Sequence, residues 1–196
     1  MARTSGGSAR GIASRGAILQ AAVRVIGREG LSGASLAAVA SDAGTSKPAL
    51  LYHFGSRERL LREVAVVAVG VFGKLLDSVG GENMTPRERT EASVLALFSA
   101  DNRTLLVCAH ELMGLGMRDP EVGALMARAL DAAAVGPAKA LARHQGDRAL
   151  ALSRSLIMAV QGHIQFWLCS GDSDPAPFAK AAARAAFAIA ATPDSL

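Results

Sequence analysis

The chain has 196 residues, of which 51% are apolar, 19% are charged and only 4% are aromatic, and its formal net charge is +4. This composition excludes a largely disordered chain, and the scarcity of aromatic side chains favours close-packed helices of Ala, Leu and Val over a β-sandwich. The longest candidate for a membrane span, Val64–Leu76, is too short to cross a bilayer, and the basic N-terminus lacks the apolar run of a secretory signal.

The positive charge is concentrated in the first third of the chain. Residues 1–62 contain nine Lys or Arg and three Asp or Glu, whereas residues 63–196 contain twelve and fourteen, so the two parts have formal charges of +6 and −2. A basic segment joined to a slightly acidic one favours a polyanion-binding module attached to a second domain. Cys108 and Cys169 form no disulfide framework, which favours a reducing cytoplasm.

The first predicted elements are an arm and a helix. Residues 1–11 are rich in Gly, Ser and Arg without any period, which is typical of a flexible basic arm. From Ser14 onward, apolar residues recur at helical spacing, and Gly30 ends this helix before a short loop, Leu31–Ala34.

Two short helices follow, separated by a tight turn. Ser35 is a suitable N-cap for Leu36–Ala43, and a Thr-Ser pair caps Lys47–Phe54. Gly44 permits the tight turn between them, so residues 35–54 are predicted to form a helix-turn-helix, whose second helix enters the major groove of DNA. Unrelated helical proteins also contain short helices separated by glycine, so this pattern alone leaves a purely structural interpretation open.

The rest of the chain is also predicted to be helical. No stretch shows convincing strand alternation or an internal repeat. The fold class is therefore all-α, with about nine helices. The later helices are predicted from residue 57 to before residue 80, at 86–100, at 104–117, from 119 to about 144, at 147–170 and at 177–191.

The residues around the two short helices follow a longer pattern. Its members are Arg15, Ile18, Leu19, Ala21, Ala22, Val25, Ile26, Gly30, Ser35, Val39, Ala40, Ala43, Gly44, Thr45, Ser46, Lys47, Leu50, Phe54, Gly55, Ser56, Arg57, Glu58 and Leu60. This pattern resembles the N-terminal DNA-binding domain of the TetR family of transcriptional regulators. The resemblance implies an Ω-shaped homodimer that reads a palindromic operator, a three-helix helix-turn-helix domain at residues 12–56, and a helical ligand-binding and dimerisation core at residues 57–196.

Given this resemblance, we predict DNA contacts on the second and third helices. Lys47 reads guanine O6 and N7 or contacts a phosphate, and Pro48 and Ala49 touch thymine methyl groups or only start the helix. The predicted phosphate contacts are Ser35, Thr45, Ser46, Tyr52, His53 and Arg57. The family usually has Tyr where Leu51 stands, with Tyr52 one position away, and a half-buried ring at the helix end is the alternative for His53.

Two stripes in the C-terminal part predict an adaptable apolar pocket with a few polar groups. The stripes consist of Leu106, His110, Met113 and Met117 on one helix and Met158, Gln161 and Gln165 on a later one. An ordinary core is the alternative interpretation for each residue, and Trp167 and His163 fit a pocket, a dimer interface or the core. Cys108, His110 and Glu111 lack metal-ligand spacing, so no metal or other cofactor is predicted.

The last two helices, about 148–170 and 177–191, are the predicted dimer surface, because the last one contains an apolar stripe with small residues, although packing within the chain is the alternative. The stripe consists of Phe178, Ala181, Ala182, Ala185 and Ile189. An enzyme is disfavoured, because the sequence offers no Gly-rich phosphate loop and no Ser/His/Asp set.

The sequence therefore predicts a cytoplasmic, ligand-responsive repressor. It binds a palindromic double-stranded DNA operator as a homodimer, is released by a small, largely apolar effector, and has no membrane partner. The alternative is a DNA-bound adaptor or activator whose core binds a protein.

Overall fold

The computed structural model of the chain describes residues 5–78 and 84–190. Over these ranges it contains nine α-helices and no β-strand, which confirms the predicted all-α fold class. The helices are α1 (Ser5–Gly33), α2 (Leu36–Asp42), α3 (Lys47–Phe54), α4 (Arg57–Ser78), α5 (Pro86–Leu97), α6 (Arg103–Gly116), α7 (Pro120–Gln145), α8 (Ala149–Ser170) and α9 (Ala176–Ala190).

The first helix, α1, begins earlier than the sequence indicated. Its backbone is helical from Ser5, so the prediction of a flexible arm does not hold beyond residue 4. The Gly- and Ser-rich segment has no helical period, but extending an existing helix is easier than nucleating one. At the other end, Gly30 shows the predicted break with φ 70° and ψ 176°, whereas residues 31–33 form another helical turn in place of the predicted loop.

The chain divides into two compact units. The first unit comprises the residues up to Ala68 together with Thr104–Gly123, and the second unit comprises Val69–Arg103 together with the residues from Ala124 onward. The first unit therefore extends beyond the helix-turn-helix domain expected at residues 12–56, because the first half of α4 and nearly all of α6 pack with it.

Arg15 joins α1, α3 and α4 within the first unit. Its Nη1 donates a hydrogen bond to the His53 carbonyl at 2.7 Å, and its Nη2 donates to the Glu63 carboxylate. The guanidinium carbon lies 4.5 Å from the centre of the buried Phe54 ring. One arginine thus has an aromatic, a carbonyl and a carboxylate partner at the same time.

The α6 helix lies against α1 at a position without a side chain. A Cβ atom at Gly27 would lie 2.4 Å from the Thr104 carbonyl oxygen, so any other residue would force the two helices apart. Further along, the Glu111 carboxylate accepts a hydrogen bond from the Leu31 amide at 3.0 Å, directly after the break at Gly30. Both contacts fix α6 to the end of α1.

Asp119 connects the start of α7 to α4 in the same unit. Its Oδ2 accepts from Arg62 Nε at 3.0 Å, and its Oδ1 accepts from the amides of Glu121 and Val122 at 3.0 and 3.3 Å. The Arg62 hydrogen bond, followed by those two amides, lowers the pKa of the Asp119 carboxyl group below its ordinary value of 3.8.

Asp119→Asn is expected to lower the melting temperature at neutral pH. Because the folded pKa lies below the unfolded value, the carboxylate stabilises the fold above the unfolded pKa, and this contribution is lost as the pH falls through the folded pKa. Thermal melts from about pH 7 to about pH 2 should show a constant difference between the two proteins down to about pH 5 and a shrinking one below it. A difference that persists unchanged in acid would contradict this role.

The second unit is built around the pairing of α8 with α9. Small residues on α9 are buried, which permits close approach of the two helices. The buried alanines of α9 are Ala179, Ala182, Ala183 and Ala186. In the same unit, Ser153 Oγ donates to the Ala134 carbonyl at 2.6 Å, and the Trp167 ring centre lies 5.7 Å from that of Phe98.

Among the described helices, no single one is long and apolar enough to cross a membrane. One bent pair, Glu91–Leu97 with Ala100–Gly116, reaches the required length and apolarity only when its two members are taken together. The described residues also contain no group of three or more His, Cys, Asp or Glu side chains arranged to hold a metal ion.

Candidate nucleic-acid interface

The turn between α2 and α3 is closed by two backbone hydrogen bonds. The Thr45 amide donates to the Ala40 carbonyl at 2.9 Å, and the Gly44 amide donates to the Ser41 carbonyl at 3.1 Å. This pair of bonds is the Schellman arrangement that ends a helix on a left-handed residue. Gly44 has φ 63°, a conformation that side chains rarely adopt. The turn is therefore short, and it fixes the direction in which α3 leaves α2.

The local sequence also explains where α3 begins and which face it buries. Ser46 is the N-cap, with its Oγ accepting from the Ala49 amide at 3.3 Å, and Pro48 lies in the first turn, where its missing amide hydrogen costs no helical bond. Leu50 and Phe54, four residues apart, are buried on one face. This packing leaves the opposite face of α3 open to solvent.

The residues predicted to contact DNA all retain accessible surface. Ser35, Ser46, Lys47, Pro48 and Tyr52 are exposed, whereas Thr45, Ala49, His53 and Arg57 are half-buried. Ser35 is also the predicted N-cap of α2, since its Oγ accepts from the Ala38 amide at 3.1 Å.

Lys47 differs from the neighbouring cations in having no partner. Among the basic side chains described between residues 15 and 62, every arginine makes a hydrogen bond or an ion pair, whereas Lys47 makes neither. The paired cations and their partners are Arg15 with Glu63, Arg24 and Arg28 with Asp42, Arg57 with two backbone carbonyls, Arg59 with Glu63, and Arg62 with Asp119 and Glu121. The Lys47 ammonium group is therefore available to an external acceptor.

Tyr52 is the most exposed large side chain of this region. It is 88% exposed, and its ring stands edge-on to that of His53 with the ring centres 5.6 Å apart. Leu51, directly before it, is half-buried. Its hydroxyl group makes no hydrogen bond in the described part of the chain, so it is available to an external acceptor.

Arg57 has partners that its predicted phosphate role did not include. Its Nε donates to the Ala34 carbonyl at 3.0 Å, and its Nη2 donates to the Leu31 carbonyl. The Leu31 carbonyl lies in the last turn of α1 and the Ala34 carbonyl in the connection to α2, so Arg57 fastens the end of α1 to the start of α4. The sequence did not reveal these contacts, because the partner carbonyls are 23 and 26 residues away and belong to no recognisable pattern.

Arg57→Gln is therefore expected to lower the free energy of unfolding by about 2 kcal/mol, because hydrogen bonds from a charged donor contribute about 1.5–3 kcal/mol. The matched control is Arg59→Gln on the same turn of α4. The Arg59 side chain is 70% exposed and lies 3.7 Å from Glu63, so its loss should change stability by less than about 0.5 kcal/mol. Urea denaturation measures both. If the two variants are equally stable and only Arg57→Gln binds DNA more weakly, Arg57 acts as a phosphate contact and not as a structural link.

The residues predicted to line a ligand pocket are distributed over both units. Met113 and His110 on α6 are half-buried in the first unit, and Leu106 is buried there. Met117, directly after α6, is 86% exposed. On α8 in the second unit, Met158 and Gln165 are exposed and Gln161 is half-buried. The pocket remains a prediction, and three of its seven residues lie at the surface.

The structure also places three residues whose roles the sequence left open. Cys108 is buried, and this burial raises the pKa of its thiol to about 12, so the thiol stays protonated and unreactive. The His163 Nδ1 lies 2.8 Å from the Ala159 carbonyl on its own helix. Trp167 is buried in the second unit, with its Nε1 donating to the Asp172 carbonyl at 3.2 Å.

The predicted dimer residues of α9 are divided between the interior and the surface. Ala182 has no exposed area, so it packs within the chain, and its prediction as a dimer contact is wrong. Ala181 is exposed, whereas Phe178, Ala185 and Ile189 are half-buried.

The α8 helix adds an exposed apolar side chain that the sequence analysis missed. Phe166 is 69% exposed, and its ring centre lies 6.0 Å from that of Phe178 on α9. Because α8 has apolar side chains on more than one face, its sequence alone did not single out the face on which Phe166 is exposed.

Comparison of the sequence with known proteins identifies one family in the helix-turn-helix region. Residues 18–64 match the family described as bacterial regulatory proteins, tetR family. Over 91 residues the chain is 41% identical to the HTH-type transcriptional regulator BetI of Rhizobium meliloti, a match that covers 44% of this chain and 43% of that protein. The chain therefore aligns with less than half the length of this relative.

Solved structures extend the similarity of the fold to most of the chain. A transcriptional regulator from Rhodococcus sp. Rha1 has a TM-score of 0.82 at 18% identity, with 89% of this chain and 95% of that one covered. The multidrug binding protein EbrR, solved in complex with imidazole, has a TM-score of 0.61 at 21% identity, with 87% and 93% covered. At such identities the likeness shows the fold alone.

Proposed function

We propose that the chain, whose residues 18–64 match the TetR family of transcriptional regulators, binds a palindromic operator as a homodimer and represses transcription until a small ligand releases it. The single observation that supports DNA contact most strongly is Lys47. It is exposed at the first residue of α3, on a helix anchored by Leu50 and Phe54, and it has no partner in the described part of the chain.

In the proposed complex, α3 lies in the major groove and Lys47 donates to guanine O6 and N7. Pro48 and Ala49 contact thymine methyl groups from the same end of the helix. The hydroxyl groups of Ser46 and Tyr52 donate to phosphates and set the register. The other proposed phosphate contacts are Ser35, Thr45 and His53. Arg57 is proposed to make a weaker phosphate contact than these residues, because its Nε and Nη2 already donate to backbone carbonyls.

A second copy of the chain is proposed to dock on the exposed face of α8 and α9. Phe166 and Met158 are exposed on α8, and Ala181 is exposed on α9. A palindromic site requires two recognition helices related by a twofold axis, at a spacing of about 34–36 Å. An isologous dimer through one self-complementary face supplies that axis.

A small molecule bound in the helical core is proposed to release the operator. EbrR, which shares the fold, has been solved with imidazole, and this supports a small-molecule site in a related scaffold. By favouring a conformation in which the head spacing no longer matches the half-sites, such a ligand lowers the fraction of the dimer that can bind. The proposed site of action is the cytoplasm.

Selection of bound DNA from a random pool tests the proposal. We expect enrichment of a palindrome whose half-sites are separated by about one helical turn, bound with a stoichiometry of two chains per site or a multiple of two. Binding should weaken steeply with salt, because phosphate contacts release counterions. Recovery of random sequences, or of a non-palindromic site bound by one chain, would overturn it.

A further inference from the structure

The fold gives the Arg103 guanidinium an incomplete set of partners. Arg103 is half-buried at the first residue of α6. Its Nη2 donates to the Leu168 carbonyl at 3.3 Å, and its guanidinium carbon lies 5.1 Å from the centre of the Trp167 ring. Its Nη1 is buried, and no atom in the described part of the chain accepts a hydrogen bond from it. A buried, charged hydrogen-bond donor that has no acceptor destabilises the fold, so the presence of one here needs an explanation.

Arg15 in the first unit shows what completes such an arrangement. Its guanidinium also lies over an aromatic ring, that of Phe54, and also donates to a backbone carbonyl. Its third partner is the Glu63 carboxylate. Arg103 has the ring and the carbonyl in the same way, but no carboxylate of the described residues pairs with it.

The other described cations of the second unit do not share this situation. Arg154 pairs with Asp131 at 3.0 Å. Arg128, Lys180 and Arg184 are exposed, so water hydrates their charges, and the half-buried Arg148 has an interaction partner of its own. Arg103 is therefore distinguished in this unit by a buried guanidinium nitrogen without an acceptor.

We propose that Arg103 and Trp167 form the anchor of a ligand site in the second unit that binds the carboxylate of an apolar small molecule. The planar guanidinium fork matches a carboxylate, and its charge favours an anion over a neutral acceptor. The Trp167 ring beside the guanidinium, itself packed on Phe98, strengthens this preference, because charge pairing is weakened less where water is excluded. This inference rests on the proposed function, in which the bound molecule is the effector, and it specifies the chemical class of that effector.

Trp167 provides a direct readout, because it is the only tryptophan of the chain. The intrinsic fluorescence of the full-length protein is measured without DNA during titration with benzoate or octanoate. The matched neutral probes are benzamide and octanamide. At least one carboxylate should give a saturable change in Trp167 emission, with its amide binding at least about tenfold more weakly. Equal changes in Trp167 emission with an acid and its amide, or no change with either acid, would overturn the proposal. The Arg103 Nη1 would then have no ligand carboxylate as its acceptor.

Two variants test the assignment to Arg103. Arg103→Gln should remove the preference for the carboxylate, whereas Arg128→Gln, which changes an exposed arginine of the same unit, should keep it. If Arg103→Gln still prefers the carboxylate to its amide, the carboxylate binds at a site other than Arg103. If Arg103→Gln does not fold, the melting temperature of the unmodified protein is measured with each probe instead. The proposal requires that this temperature rise with the carboxylate and not with its amide.

These measurements distinguish the two proposals. A protein that selects a palindrome but shows no carboxylate preference overturns only the anchor. A protein that binds the carboxylate through Arg103 but selects no palindrome overturns only the proposed function.

Discussion

Replacing Lys47 by alanine is expected to weaken operator binding at least about tenfold, because a side chain bound to guanine O6 and N7 contributes about 1–3 kcal/mol of discrimination. The loss applies to both half-sites of a dimer. The exposed Lys47 side chain makes no hydrogen bond or ion pair within the described part of the chain, so the substitution should leave folding intact. Gel shifts with the selected operator and with random DNA, at several salt concentrations, measure the effect.

The salt series also separates the two roles left open for Lys47. A base contact predicts a loss for the operator alone, whereas a phosphate contact predicts a similar loss for both DNAs and a salt slope reduced by about one per contact. Lys47→Arg is the matched control, since it keeps the charge and adds a fork that also fits guanine. Unchanged affinity of Lys47→Ala for both DNAs would remove Lys47 from the interface.

The geometry around this lysine was predictable from the sequence because its causes are local. Ser35 and Ser46 cap α2 and α3 through amides three residues ahead. Gly44 provides the left-handed residue of the intervening turn. Each of these interactions spans a few neighbouring residues, so residue type and spacing suffice to recognise it. The bounds of α3 are accordingly those that the sequence indicated.

The partners of the arginines could not be predicted in the same way. Arg15 reaches Glu63 across 48 residues, and Arg57 reaches the Leu31 carbonyl across 26. A backbone carbonyl carries no residue-specific signal, so a sequence cannot mark it as a partner. The basic character of residues 1–62 indicated a DNA-binding module, but most of its described cations stabilise the first unit, and this left Lys47 as the candidate for direct readout.

The exposed surface of α8 shows a similar limit for apolar side chains. Residues 151, 155, 158, 162, 166 and 169 are exposed and follow helical spacing, so they form one stripe. Its members are largely apolar, Met158 and Phe166 being the largest, and Ser155 is the polar exception. Which face of an apolar helix remains open depends on the helices packed against the others, here above all α9. A largely apolar exposed stripe is typical of an interface, and on a chain proposed to read a palindrome, a second copy is the occupant that also supplies the twofold axis.

Phe166→Asp is therefore expected to convert the dimer into a monomer and to weaken operator binding by at least about a hundredfold, because two linked heads bind far more tightly than one. A charge at this position would be desolvated in the interface without a partner, whereas in the monomer the side chain is already 69% exposed, so the fold should tolerate it. Leu95→Asp on α5, also an exposed apolar position at 46%, is the matched control and should remain dimeric. Light scattering after gel filtration reports the mass, and gel shifts report the affinity. If Phe166→Asp stays dimeric and binds the operator like the parent chain, the dimer uses a face other than α8, and the proposed twofold axis lies elsewhere.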